Sequence, residues 1–289
     1  MVSNRSGSSS VTLKCPAKIN LYLAVGGRRL DGFHNICTLF QTIDFYDELI
    51  LTREVERTYF KCNIQLDWSQ DNTLRKVLEE IEKRTGKRIE IGIQLNKRIP
   101  SGGGLGGGSS DAATLLKYLA RILGMENKIA MEIAKTVGSD VPFFLRGGTA
   151  IASGRGEILS YPGDVTGYSV DLSFPDVEVS TALAYRLIDE GDLFHCTDER
   201  RAEQYYEALK AYDTLRIKNL SLNSFQNPIF NRFAEIREHH SRSSLEKSNA
   251  VVTMMTGSGS TIFSLFQGRI GKYRFISSEE LNKIWYSTG

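Results

Sequence analysis

The chain has 289 residues, 41% of them hydrophobic and 24% charged, with a formal net charge of +2. That length can bury one large core or two smaller ones, and so slight a charge excludes a global attraction to nucleic acid or membrane, leaving charged recognition to local clusters. No apolar run approaches the roughly 18 residues of a membrane-spanning helix, and the opening MVSNRSGSSS lacks the apolar stretch of a secretory signal.

Those ten residues are expected to be a mobile tail or a cloning remnant. From Lys18, KINLYLAV alternates Ile19, Leu21, Leu23 and Val25 with Asn20, Tyr22 and Ala24. Period two predicts a half-buried strand with Lys18, Asn20 and Tyr22 on the face opposite the apolar one. The charged, turn-like GGRRLDGFH leads to a second strand, TLFQTIDFYDELIL. Residues 73–84 carry Leu74, Val77, Leu78 and Ile81 at helical spacing, with Asn72 as N-cap and Gly86 as stop. RIEIGIQL returns to alternation, with Ile89, Ile91, Ile93 and Leu95 on one side.

The stretch IPSGGGLGGGSSDAA, residues 99–113, follows that strand. Beyond it Leu115, Leu116, Leu119, Ile122 and Leu123 share a helical face, with Ser109 or Ser110 as N-cap and Asp111 in the first turn. ENKIAMEIAKTV is a further helix stopped by Gly138, and GSDVPFFLRGGTAIASGRGEI passes through a turn into a strand. Turn residues cluster in YPGDVTG and divide the chain into expected domains 1–163 and 164–289. The second half offers a strand (YSVDLSF), a helix from near Ser180, polar helices to about residue 247, and a strand pair in AVVTMMTGSGSTIFSLF. Residues 190–250 have no firm assignment.

Cys15, Cys37, Cys62 and Cys196 are scattered, with no C-x-x-C, which suits free thiols in a reducing cytoplasm. His239 and His240 lie in EIREHHSRSS, which reads as a solvated helix end.

The glycines join a strand to a helix, so they read as a backbone cradle and not as a linker between finished domains. A helix N-terminus leaves N–H groups unpaired and carries partial positive charge, and glycine lets the main chain approach an anion closely. Walker A is absent, because the Gly-Lys pairs at 86 and 271 are followed by Arg88 and Tyr273. Gly102, Gly104 and Gly107 match the dinucleotide string, yet a second helix follows where a strand ending in an acid is required. No H-R-D or D-F-G accompanies the loop as in protein kinases.

Pro100 to Ala113 resembles the central nucleotide-binding motif of the GHMP kinases. PAKINLYL at 16–23, RRLDGFH at 28–34 and GSDVPFFLRGGTAIASGRGE at 138–157 are similar to one branch of that superfamily, which phosphorylates 4-diphosphocytidyl-2-C-methylerythritol in the non-mevalonate route to isoprenoids. TGSGSTIFSLF at 256–266 resembles the third conserved glycine motif. The resemblance implies an α+β fold with an N-terminal nucleotide-binding α/β domain and a C-terminal ferredoxin-like domain. It also implies an ATP-dependent kinase acting on the 2-hydroxyl of that substrate, with Mg²⁺, in the cytoplasm. Its partner is a small molecule and neither nucleic acid nor membrane; the protein is expected to be a monomer or weak homodimer.

Phosphoryl transfer needs a loop neutralising the phosphates, a metal ion, and a group that orients and deprotonates the hydroxyl. By itself Asp140 reads as a turn-capping residue and Lys18 as an exposed strand end. The resemblance makes Asp140 the catalytic carboxylate, and makes Lys18 the partner that keeps it ionised, since an opposite charge at roughly 4–6 Å lowers a carboxylate pKa by about 1–3 units. It assigns Pro100, Ser101, Gly102, Gly103, Gly104, Leu105, Gly106, Gly107, Gly108, Ser109 and Ser110 to ATP, with Leu105 anchoring the loop and the two serines facing the phosphates. Asn20, Phe33, His34, Thr181 and Tyr185 fall to the substrate. Phe33 stands where the family has tyrosine, so a phenolic contact is lost; His34 would bond the cytosine. Tyr185 reads equally as a stacking ring or as core. A homoserine kinase, a regulatory protein with degenerate catalysis and a Rossmann oxidoreductase are the rival readings.

Overall fold

β1 (Ser10–Arg28) and β2 (His34–Thr52) form an antiparallel pair of 19 residues each, turned at residues 29–33, where Gly32 has φ +83°. The computed structural model describes residues 9–286, so most of the opening tail lies outside the described residues and Ser10 already belongs to β1. Half-burial does not hold: every residue from Cys15 to Gly26 is buried, because helices cover one face and a second sheet covers the other. Nor does the alternation run unbroken. Asn20 pairs with Phe40 and Tyr22 with Leu39, leaving Leu21 as a bulge that reverses the faces. Tyr22 therefore enters the core beside Tyr205, and Leu23 takes its place on the wall with Lys18 and Asn20.

The other edge of β2 is shared by β4 (Gly92–Asn96) and β5 (Thr149–Ser153). β3 (Tyr59–Cys62) adds to β4 in parallel and β6 (Ile158–Ser160) to β5. β4 is shorter than RIEIGIQL suggests, although Ile91, Ile93 and Leu95 are buried together. α1 (Thr73–Thr85), α2 (Gly107–Leu123), α3 (Asn127–Val137) and the single turn α4 (Val141–Phe144) bury Leu74, Val77, Leu115, Leu119, Ile133 and Phe143 against this sheet. Asn72 caps α1, accepting from the N–H groups of Leu74 at 3.0 Å and Arg75 at 3.4 Å, and Gly86 ends it at φ +67°. Asn72→Ala is expected to lower stability by about 1 kcal/mol; an unchanged urea midpoint would show that the side chain does not cap.

α2 departs from expectation. It begins at Gly107 after Gly106 at φ +71°, with no side-chain cap, so neither Ser109 nor Ser110 is the N-cap and Asp111 lies past the first turn. Ile122 is 44% exposed and not part of the core face.

Residues 161–167 lead to the second sheet, of β7 (Tyr168–Ser173), β8 (Val252–Met255), β9 (Ile262–Gln267) and β10 (Tyr273–Arg274). Its antiparallel order, β10-β7-β9-β8, is that of a ferredoxin-like sheet, except that a short loop and not a helix links β9 to β10. α5 (Thr181–Gly191) is the helix expected from near Ser180, and the unassigned stretch beyond it holds four more: α6 (Glu199–Lys210), α7 (Thr214–Leu220), α8 (Gln226–Arg232) and α9 (Ala234–Glu246). His239 and His240 lie within α9, where they reach Ser173 Oγ at 3.2 Å and the Thr253 carbonyl at 3.0 Å, so they tie the helix to the sheet and are no solvated end. α10 (Ser278–Tyr286) returns to the first sheet, where Trp285 Nε1 donates to the Lys14 carbonyl at 2.9 Å. Ile19 and Leu21 share one core with Val170, Phe263 and Leu265, so the two sheets are packed as one body. Among the described residues no helix is long and apolar enough to cross a membrane.

Candidate active site

The outer edge of β1 organises the site. Among the described residues its N–H groups do not meet another strand. The Lys18 N–H donates to the Leu105 carbonyl at 3.0 Å, and the Asn20 N–H donates to Thr256 Oγ1 at 2.9 Å. Past the bulge, Leu23 and Val25 donate to the Leu222 carbonyl and to Ser224 Oγ. One strand edge thus suspends both the 101–108 loop and the TGSGS turn. The loops touch through backbone: at Gly104, φ +74°, a Cβ would sit 2.2 Å from the Thr256 carbonyl oxygen, so only glycine fits. Leu105, 1% exposed, drives into the core as expected.

Between these elements lies a cleft of about 460 Å³. Pro100 to Ser109 form one wall, with the uncapped N-terminus of α2 facing in. Ser110 is not on it: its hydroxyl is buried among the helices without a partner.

Lys18 and Asp140 face each other in this cleft, Nζ to Oδ2 3.6 Å apart. Asp140 precedes α4 but its side chain caps nothing, which removes the turn-capping reading. Lys18 is no exposed end. Its side chain is 5% exposed, donates to Asn20 Oδ1 at 2.7 Å, and lies 5.1 Å from the Phe40 ring. Burial lowers its pKa below the ordinary 10.5 although Asp140 pulls the other way.

A buried ion cluster fixes the entry to the loop, and the sequence reading missed it. Asp47, within β2, accepts from the N–H groups of Arg98 at 2.5 Å and Ile99 at 2.8 Å, and from Lys97 Nζ at 2.5 Å. Lys97 also reaches Asp111 of α2 at 2.9 Å, so both ends of the glycine loop are tied to one ammonium. Burial pulls the Lys97 pKa down, but the two carboxylates outweigh it and leave it raised; burial pushes Asp111 up against the opposing pull of Lys97. No spacing rule would join residues 47, 97 and 111.

On the substrate side, Thr181 and Tyr185 of α5 line the cleft with Phe225, Gly257 and Ser258. Thr181 Oγ1 is 3.2 Å from Ser258 Oγ. The Tyr185 ring stacks on His34 at 4.9 Å and meets Phe225 edge-on at 5.0 Å. Burial, then the Asp140 charge, pushes the Tyr185 pKa up to about 12. His34 is buried behind Tyr185, its Nε2 2.7 Å from Asp189 Oδ1, and neither it nor Phe33 is among the residues lining the cleft. Phe33 is instead 54% exposed beneath the Arg155 guanidinium, so the structure does not bring it to Asn20 and Asp140.

The GHMP kinases N terminal domain model matches residues 72–148. The chain is 42% identical over 260 residues to the 4-diphosphocytidyl-2-C-methyl-D-erythritol kinase of Pseudothermotoga lettingae, covering 90% of this chain and 93% of that one. It is 40% identical over 270 residues to the enzyme of the same name from Thermotoga maritima, covering 93% and 97%. A crystal structure of 4-(cytidine 5'-diphospho)-2C-methyl-D-erythritol kinase superposes with a TM-score of 0.72 at 33% identity over 89% of this chain and 90% of that one. Homoserine kinase from Cytophaga hutchinsonii, at 18% identity and a TM-score of 0.67 over 100% and 93%, shares the fold. On this similarity along nearly the whole length, with Lys18, the glycine loop and Asp140 gathered around one cleft, the chain belongs to the 4-diphosphocytidyl-2-C-methyl-D-erythritol kinase family of the GHMP kinases.

Proposed function

We propose that this kinase transfers the γ-phosphate of ATP to the 2-hydroxyl of 4-diphosphocytidyl-2-C-methylerythritol, in the non-mevalonate route to isoprenoid precursors. The observation that carries the chemistry is the Lys18–Asp140 pair at 3.6 Å in the cleft walled by the uncapped N-terminus of α2. Backbone N–H groups of the 101–108 loop and the first turn of α2 hold the phosphates. Asp140 accepts the hydrogen of the acceptor hydroxyl as its oxygen bonds to phosphorus and the bridging bond to ADP breaks. Lys18 steadies the charge that spreads over the transferring group. Asn20 adds a polar contact on the acceptor side, and Thr181 and Tyr185 form the wall for the cytidyl end. His34 backs Tyr185, which places its effect on the base through that ring.

The donor set suits a Mg²⁺ carried in with the nucleotide. Among the described residues no three His, Cys, Asp or Glu side chains are grouped to hold a metal, so the ion would lean on phosphate and water, with the Ser109 hydroxyl on the cleft wall a protein donor it could use. Such an ion supplies charge neutralisation between the phosphates. The scattered free thiols suit a cytoplasmic setting, and we read the protein as a monomer or weak homodimer, with its domains meeting near residues 163 and 164.

Incubation with ATP, Mg²⁺ and either the cytidyl substrate or homoserine, following ADP, tests the assignment. ADP is expected with the cytidyl substrate alone; turnover with homoserine alone would overturn the substrate, and turnover with neither would overturn the kinase reading.

A further inference from the structure

Thr38 lies on β2 next to the catalytic wall, fully buried, and belongs to none of the motifs that the site uses. Its hydroxyl donates to the Tyr22 carbonyl at 2.7 Å, just past the bulge in β1. A hydroxyl has one hydrogen, so toward any second neighbour it can only accept. That neighbour is the Asn20 amide, whose Nδ2 lies 2.8 Å away.

The amide is thereby oriented. With its NH₂ committed to Thr38, its oxygen must face the other way, and Oδ1 is 2.7 Å from Lys18 Nζ, a group with donors and no acceptor. The opposite orientation would set NH₂ against the ammonium and a carbonyl oxygen against the lone pairs of Thr38, both in buried surroundings where no water relieves the mismatch. Thr256 supports the same orientation, with Oγ1 accepting from the Asn20 N–H at 2.9 Å and lying 3.4 Å from Oδ1.

We infer that Thr38 is a positioning residue for phosphoryl transfer: it decides which end of the Asn20 amide faces Lys18, and so holds the ammonium in the direction from which it meets Asp140 and the transferring group. Without the Thr38 hydroxyl the Asn20 NH₂ loses its acceptor and the amide is held from its oxygen side alone, by Lys18 and Thr256, so the oxygen that aims Lys18 is less firmly placed. The inference rests on the reading of Lys18 as catalytic, and the two can fail separately.

The test compares Thr38→Val, which keeps the shape and removes the hydroxyl, with Thr38→Ser, which restores the hydroxyl, and with Lys18→Met. The readouts are kcat, KM for ATP and for the cytidyl substrate, and ADP binding by titration. Thr38→Val is expected to lower kcat by about 10- to 100-fold with KM for ATP and ADP binding unchanged, the size of loss seen when a supporting residue lets a reacting group drift. Thr38→Ser is expected to rescue kcat. Wild-type turnover in Thr38→Val, a loss in Thr38→Ser as deep as in Thr38→Val, or a matching loss of ADP binding would each overturn it. Wild-type turnover in Lys18→Met would overturn the reading of Lys18 itself, whereas an inactive Lys18→Met beside an unimpaired Thr38→Val would overturn the role of Thr38 alone.

Discussion

Asp140→Asn is expected to bind ADP as the wild type does and to turn over about 10²- to 10⁴-fold more slowly, the range lost when a positioned acid or base is removed. The substitution keeps the shape of the side chain and deletes the charge that accepts or orients the hydroxyl hydrogen. The fold has no other use for this carboxylate. Its side chain caps no helix, and at 30% exposure its ion pair with Lys18, the one it makes among the described residues, is partly screened by water. The urea midpoint is therefore expected to stay where it is, and burst-phase kinetics should place the loss in the chemical step. A variant that kept kcat and raised only KM for the cytidyl substrate would make Asp140 a binding group and leave the deprotonating group unassigned.

That Lys18, the glycine loop and Asp140 belong together was legible only through the resemblance of their motifs to the GHMP kinases; by residue chemistry alone Lys18 read as a strand end and Asp140 as a turn cap. A strand, six glycines and an apolar helix announce an anion cradle wherever they occur in that order. Period-two reading failed at Leu21 for a definite reason: one unpaired residue reverses every side chain that follows, and nothing in KINLYLAV marks the bulge. It therefore put Tyr22 on the side of Lys18 and Asn20, whereas Tyr22 lies in the core on the other side and Leu23, although buried, reaches the cleft. Ser109 and Ser110 attracted the N-cap assignment because serine is the usual cap, whereas here the αL conformation of Gly106 opens the helix and the first turn is left free for an anion. The Asp47–Lys97–Asp111 cluster and the Thr38–Asn20–Lys18 chain link residues that are far apart in sequence or on different strands. They follow from strand register, and register is a tertiary property. Helices α7 and α9 were blurred by the opposite fault: each buries a single residue, Ile217 and Ile236, and shows almost no apolar stripe.

Lys18→Met is expected to lose turnover at least as deeply as Asp140→Asn while folding as well as the wild type at neutral pH or better, because the same burial that makes the ammonium useful makes it costly. Burial lowers the Lys18 pKa from the ordinary 10.5, so the folded chain holds this proton less tightly than the unfolded chain does. The resulting penalty is present in full below the folded-state pKa, diminishes as pH rises through that value, and is gone above about 10.5. Methionine spans the same space beside Phe40 without a charge to desolvate. Asp140, left behind, has a side chain 30% exposed, so water screens it once its partner is gone. Denaturant midpoints of the two proteins measured from neutral to alkaline pH should accordingly converge as pH rises, with the variant never the weaker at neutral pH. Turnover of the wild type should fall over pH values below the ordinary lysine range, as the ammonium discharges in the folded protein. A variant markedly less stable at neutral pH would mean that Asn20 and Asp140 repay the burial of Lys18 in full, and the separation of catalysis from stability argued for this pair would not stand.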